Sequence, residues 1–135
     1  MQSFGAVLRK RLERGFSLHQ NVLNPFVRPL LLGESSEEFR PPSANIRFVL
    51  SDAASWLESC ETESFDAFAL SNILDGAVPA YRARLSQAVR RSASRDAVLV
   101  LRSFAEPPAG LDNNHAQCDR SMLWGIVDVR SAHTF

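Results

Sequence analysis

The chain predicts an α/β fold built on a mostly parallel sheet with flanking helices and a helical N-terminal lead-in, and three observations predict it. Residues 46–50, 65–70 and 97–101 are short, predominantly apolar runs of strand length. Between them lie residues 52–60 and 79–93, whose apolar positions recur at helical spacing. The residues just after each run are polar, as they are where a sheet ends at a ligand crevice.

Taken in order, residues 1–33 form the lead-in. Phe4, Val7, Leu8 and Leu12 fall on one helical stripe, with Arg9, Lys10, Arg11 and Arg14 gathered around it as solvated charges. Asn24-Pro25 and Pro29 keep the next segment short, and three leucines end at Gly33, a helix stop. Residues 34–45 turn to Ser, Glu and Pro, which predicts a linker loop. Residues 46–135 then hold the alternating runs. Strands separated by helices of this length imply right-handed crossovers and parallel pairing, and continuously apolar strands imply helices on both faces. A polar loop over 105–120 leads to residues 122–129, a final strand suited to antiparallel pairing at an edge.

Composition narrows the function. With 15 basic and 15 acidic side chains there is no charge excess to drive general nucleic-acid binding, so no nucleic-acid partner is expected. Cys60 and Cys118 stand far apart, outside any zinc-ligand spacing, and read as free thiols of a reducing cytoplasm. No metal site is expected, and His19, His115 and His133 are scattered. No apolar run approaches the roughly 20 residues that span a bilayer. Peripheral membrane contact through the basic residues 1–14 remains open.

In an open parallel sheet, ligands bind beyond the carboxyl ends of the strands. The first run ends in Ser51-Asp52, the second in Ser71-Asn72 with Asp75 close behind, and the third in Arg102-Ser103. Asp52 is placed both to cap the following helix and to accept a hydrogen bond from a ligand. Asn72 and Asp75 suit a polar substrate or a turn before Gly76. Arg102 suits a carboxylate or phosphate. Asp119 and Arg120 add donors and acceptors in the late loop, whose length is that of segments that close over sites.

The run from Phe65 to Asp75, and most specifically Leu70-Ser71-Asn72-Ile73-Leu74-Asp75, resembles the fourth-strand motif of class I S-adenosylmethionine-dependent methyltransferases. More narrowly it is similar to the family containing S-adenosylmethionine:diacylglycerol 3-amino-3-carboxypropyltransferase, the betaine-lipid enzyme. Residues 47–53 resemble that fold's third strand and its adenine-side acid, 97–103 its fifth strand, and 119–125 a late segment of the family. The resemblance runs from about residue 45 to 129 and implies a partial Rossmann-like fold. It further implies an S-adenosylmethionine site with Asp52, Ser71 and Asn72 on the cofactor, and Asp75, Arg102, Ser103, Asp119 and Arg120 toward substrate. No catalytic residue is assigned.

The sequence departs from that fold at one place. The cofactor fingerprint is a Gly-rich turn after a first strand, whereas the six glycines here, at 5, 15, 33, 76, 110 and 125, never cluster. The expectation is therefore the C-terminal part of a transferase domain, inactive until an N-terminal half completes it. The alternative is a non-catalytic interaction module that forms a homo-oligomer or pairs with another chain.

Overall fold

Leu85 and Leu99 are wholly withdrawn from solvent, and the layer they define is a helix pair laid on one face of a small sheet. The computed structural model describes residues 3–33, 44–110 and 114–135. The chain divides into two units, Met1–Val49 with Gln117–Leu123, and Leu50–Ala116 with Trp124–Phe135.

In the second unit the order is α3 (Ala53–Ser59), β1 (Phe65–Ser71), α4 (Pro79–Ser92), β2 (Ala93–Ser103) and β3 (Ile126–Ser131), with a 3-10 turn at Ala132–Thr134. The sheet order is β1-β2-β3. β1 pairs parallel to β2, with Phe68 opposite Leu99, and β2 pairs antiparallel to β3, with Val100 opposite Val129. The fold is thus α/β with a mixed sheet. The expectation of a mostly parallel sheet is corrected, because one of the two pairings is antiparallel, while the edge placement of the last strand is as expected. That strand begins at Ile126 rather than 122.

The core is one-sided. Phe68 and Leu99 from the sheet meet Ala54, Leu57, Leu85, Ala88 and Val89 from the helices. Burying a leucine of this kind contributes roughly 1.5–3 kcal/mol. On the opposite face Ala67 and Ala69 of β1, Val98 of β2 and Val129 of β3 are exposed. The expectation of cover on both faces therefore fails at these positions.

α3 and α4 run in the same direction, opposite to β1. Pro79 at the first position of α4 fixes its start. At their far ends, Arg91 Nη2 of α4 donates to the carbonyls of Leu57 (2.7 Å), Glu58 (3.0 Å) and Cys60 (2.6 Å). Leu57 O also accepts from Cys60 N–H, while the carbonyls of Glu58 and Cys60 are ones that the end of α3 leaves without helical partners. Both helix N-termini consequently lie at the end of the layer where β1 finishes, since α3 leads into the start of β1 and α4 follows its end.

Residues 46–50 do not form a strand. Phe48 and Leu50 are fully presented to solvent, and no ladder takes up the backbone of this run. A strand exists only beside a neighbour, and among the described residues β1 bonds to β2 alone.

In the first unit, α1 (Phe4–Leu18) half-buries Val7, Leu8 and Leu12 of the expected stripe, but Phe4 is exposed and the fully buried positions are Arg11 and Gly15. Asn21 Nδ2 ends it by donating to the carbonyls of Gly15, Phe16 and His19. A 3-10 turn, Asn21–Leu23, leads to α2 (Val27–Leu32), which stops at Gly33 with φ +69°. Segment 117–123 is tied to these elements. Arg11, expected in solvent, is buried and donates to Leu123 O at 2.8 Å, because a buried guanidinium must spend its donors on carbonyls. Asn24 Nδ2 donates to Arg120 O at 2.8 Å, and Arg120 Nη2 returns a bond to Leu23 O at 2.6 Å. The linker expected over 34–45 lies, for residues 34–43, outside the described residues. Within the 105–120 loop a short helix, α5 (Asn114–Cys118), is present.

Candidate functional site

The carboxyl end of the parallel pair β1–β2 is a hydrogen-bonded knot of polar groups. Ser71 closes β1 opposite Arg102. Asn72 then turns into the left-handed region at φ +58°, a conformation that asparagine tolerates better than other side chains. Its N–H donates to Arg102 O at 2.9 Å, and its carbonyl accepts from Asp75 N at 3.0 Å. This reversal brings the Asp75 carboxylate across to the end of β2. There Oδ1 accepts from the Ser103 hydroxyl at 2.5 Å and Oδ2 from Phe104 N–H at 3.1 Å. Ser103 is itself buried, and its oxygen accepts from Ala105 N–H at 2.9 Å.

Asn72 Oδ1 is buried and makes no hydrogen bond. A buried acceptor left without a partner costs about 1–3 kcal/mol, and Asn72 carries this beside its turn-making role.

Asp52 stands at the same end of the layer. It caps α3, accepting from Ser55 N–H at 2.8 Å and Ser55 Oγ at 2.9 Å. These bonds, then one from the Tyr81 hydroxyl and the charge of Arg84 at 3.6 Å, hold its carboxyl below the ordinary range. Burial, and then the Asp52 carboxylate, push the Tyr81 phenol up. Arg84 is held mainly by Glu58, at 2.5–2.7 Å, which lowers the Glu58 carboxyl in turn. Asp52 is therefore a working cap, and a carboxylate with about four lone-pair directions keeps acceptor capacity beyond these bonds.

Asp119 and Arg120 belong to the first unit and act there as braces. Asp119 accepts from the N–H and hydroxyl of Ser121, and Arg120 holds the turn before α2. The structure thus ties Asp75 and Ser103 to the turn at Asn72, brings Ser71 and Arg102 there through backbone pairing alone, sets Asp52 at the N-terminus of α3, and engages Asp119 and Arg120 in local bracing.

Sequence reasoning missed Tyr81, Arg84 and Glu58 around Asp52, and the ring pair Phe104–Trp124, stacked at 4.7 Å. The cap at Asp52 was expected, and its partners Tyr81, Arg84 and Glu58 are set by the packing of α3 on α4. Nothing local marks the ring pair, whose members are brought together by the bond from Gly125 N to Ser103 O. Among the described residues no three His, Cys, Asp or Glu side chains converge as metal ligands. Compared with protein-family models, curated proteins and solved structures, the chain matches none.

Proposed function

We propose that this chain is the C-terminal part of an S-adenosylmethionine-dependent transferase domain of Rossmann-like type, transferring a 3-amino-3-carboxypropyl or methyl group. The observation that carries the reading is the polar knot at the carboxyl end of the β1–β2 pair, with its unmet acceptor on Asn72. Ligands of open α/β sheets bind at that end of the strands.

The residues suit the cofactor in kind. Asn72 has an unmet acceptor for a ligand ammonium or hydroxyl, Asp52 retains acceptor capacity for an adenine amino group or ribose hydroxyl, and Arg102 suits a carboxylate. S-adenosylmethionine supplies, when bound, an electrophilic carbon beside its sulfonium. The role of the chain's own groups is to hold donor and acceptor in line, the part of catalysis that rests on orientation. Asp75 and Ser103 act on the frame: they clamp the end of β2 to the turn that carries Asn72.

The unpaired run 46–50 also supports the reading. In a doubly wound sheet ordered 3-2-1-4-5, the third strand is separated from the fourth by two others. If residues 46–50 correspond to the third strand and β1 to the fourth, the missing neighbours are the strands that carry the Gly-rich turn. These 135 residues alone would then bind the cofactor weakly or not at all.

Calorimetric titration with S-adenosylmethionine tests this on the chain alone and on a longer chain in which a Gly-rich strand–turn–helix precedes it. Binding that appears in the longer chain and weakens about tenfold, roughly 1.4 kcal/mol, in Asn72→Ala supports the reading. No binding by the longer chain, or binding indifferent to Asp52, Asn72 and Arg102, ends it.

The outer side of β1, which bonds to β2 alone among the described residues, favours a second reading, a non-catalytic module that pairs with a second copy or another chain. A well-folded monomer in size-exclusion chromatography with light scattering counts against that reading.

A further inference from the structure

Two stretches have no ladder partner among the described residues. One is the outer edge of β1, and the other is the run 46–50, in which Phe48 and Leu50 are 90% and 107% exposed. Handedness relates them. α4 carries β1 to its parallel neighbour β2 across the helix-covered face, and such crossovers are right-handed almost without exception. α3 lies on that same face, since its Ala54 and Leu57 share the core with Phe68, Leu85 and Val89. A strand that feeds β1 through α3 keeps the same hand only on the side of β1 away from β2. That is the unpaired side.

Direction, cover and side-chain pattern agree with this placement. α3 runs opposite to β1, and its cap, Asp52, stands where β1 finishes. Residues 46–50 lead into that cap through Ser51, which belongs to no helix or strand, so along β1 they would run parallel to it and end beside its end. α3 takes the β1 side of α4: its Trp56 ring lies 5.4 Å from that of Phe65, whereas the turn Ala132–Thr134 packs on β2 and α4. It therefore roofs the vacant place. With Leu50 beside Leu70, Phe48 falls beside Phe68 on the helix-covered face, where the two exposed side chains would be buried. Arg47 and Val49 alternate onto the open face, Val49 beside the exposed Ala69.

We propose that residues 46–50 are a reversible edge strap. Laid parallel against β1, they close the sheet beneath α3; lifted, as in this structure, they leave the edge free for another strand. In the longer domain of the proposed function, incoming strands would take the same place. The strap is a property of this chain alone, and its failure leaves untouched the transferase reading, which cofactor binding to the longer chain decides.

Cysteine pairs in the whole chain, with Cys60→Ser and Cys118→Ser, test it. In a glutathione buffer, Val49→Cys with Ala69→Cys should form a disulfide within one chain, because paired strands bring facing Cα atoms within bonding range. Its effective concentration should exceed about tenfold that of Phe48→Cys with Ala69→Cys, which the pleat sets on opposite faces. Equal formation by the two pairs overturns the proposal. Disulfides between chains rather than within one also overturn it, and make the run of a second copy the occupant. Hydrogen exchange checks the same point without new thiols. The β1 amides that do not bond to β2 should exchange about tenfold more slowly in the unaltered chain than in Phe48→Pro with Val49→Pro, since adjacent prolines cannot both avoid the ladder. Both positions lie outside helix and strand, so this variant keeps the fold. Equal exchange in the two proteins overturns the proposal.

Discussion

Gly15 lies on the buried side of α1, and replacing it with alanine pits two effects of opposite sign against each other. In a helix with nothing against it, alanine for glycine is worth about 1 kcal/mol of added stability. Here a Cβ on Gly15 would overlap Met122 Sδ and Cγ, and would stand 3.1 Å from Met122 Cβ. Met122 is buried, so its side chain has little open space to withdraw into. Overpacking of this kind costs about 1–3 kcal/mol. Gly15→Ala should therefore be neutral to destabilising by about 2 kcal/mol, the clash less the propensity gain. In a Met122→Ala background the obstacle is gone, and the same substitution should stabilise by about 1 kcal/mol. Urea denaturation of the four proteins, followed by far-ultraviolet circular dichroism, yields the coupling between the sites, expected at about 1–3 kcal/mol. Gly15→Ala stabilising to the same extent in both backgrounds would show that α1 does not pack on residues 117–123.

Three further outcomes are expected. Leu99→Ala, on the helix-covered face of β2, should cost about 2–5 kcal/mol in denaturant melts, whereas Val98→Ala on the opposite face should cost about 0.5 kcal/mol; similar losses at both positions would contradict a one-sided core. Asp52 and Glu58 have carboxyls lowered by Ser55 and Arg84 respectively, so their contribution is present above the ordinary carboxylate range and is lost as pH falls through their lowered folded-state values. The acid limb of a stability–pH curve should flatten in part in Ser55→Ala with Arg84→Gln, which removes the Ser55 hydroxyl and the guanidinium but keeps the Ser55 N–H, and an unchanged limb would remove the hydroxyl and the guanidinium from the account. At Asn72, with φ +58°, glycine should be tolerated while alanine lowers stability by about 1 kcal/mol in thermal melts. Equal behaviour of the two would mean that the left-handed turn does not choose the residue.

What the sequence made legible was local. The helix at 4–18 with its half-buried Val7, Leu8 and Leu12, the stop at Gly33, the cap at Asp52 and the proline that opens α4 are each readable within one or two turns of chain, whereas Phe4, read on the same stripe, is exposed. What it concealed depends on neighbours. Residues 46–50 are as apolar as β1 and richer in β-branched side chains, yet character says only that a segment can pair, and the ladder it would join is not among the described strands. Arg11 looked like any solvated charge on an amphipathic helix because the carbonyl that buries it, at Leu123, is 112 residues away. In the site, positions after the strand ends were readable from topology. The bond from Ser103 to Asp75, and the engagement of Asp119 and Arg120 in bracing, follow from tertiary placement.

The exposed run that contains Phe48 and Leu50 is also where the chain passes from one unit to the other. Exposed, outside any ladder and bearing Phe48 and Leu50, it offers a chymotrypsin-like protease a ready substrate. A cut there need not release the two pieces. The later fragment carries Gln117–Leu123, the segment to which Arg11, Asn24 and Leu23 are bonded. A nicked chain should therefore survive native electrophoresis as a two-piece complex and separate only in denaturant. The same position is a natural place to divide the gene for reassembly of the protein from two halves.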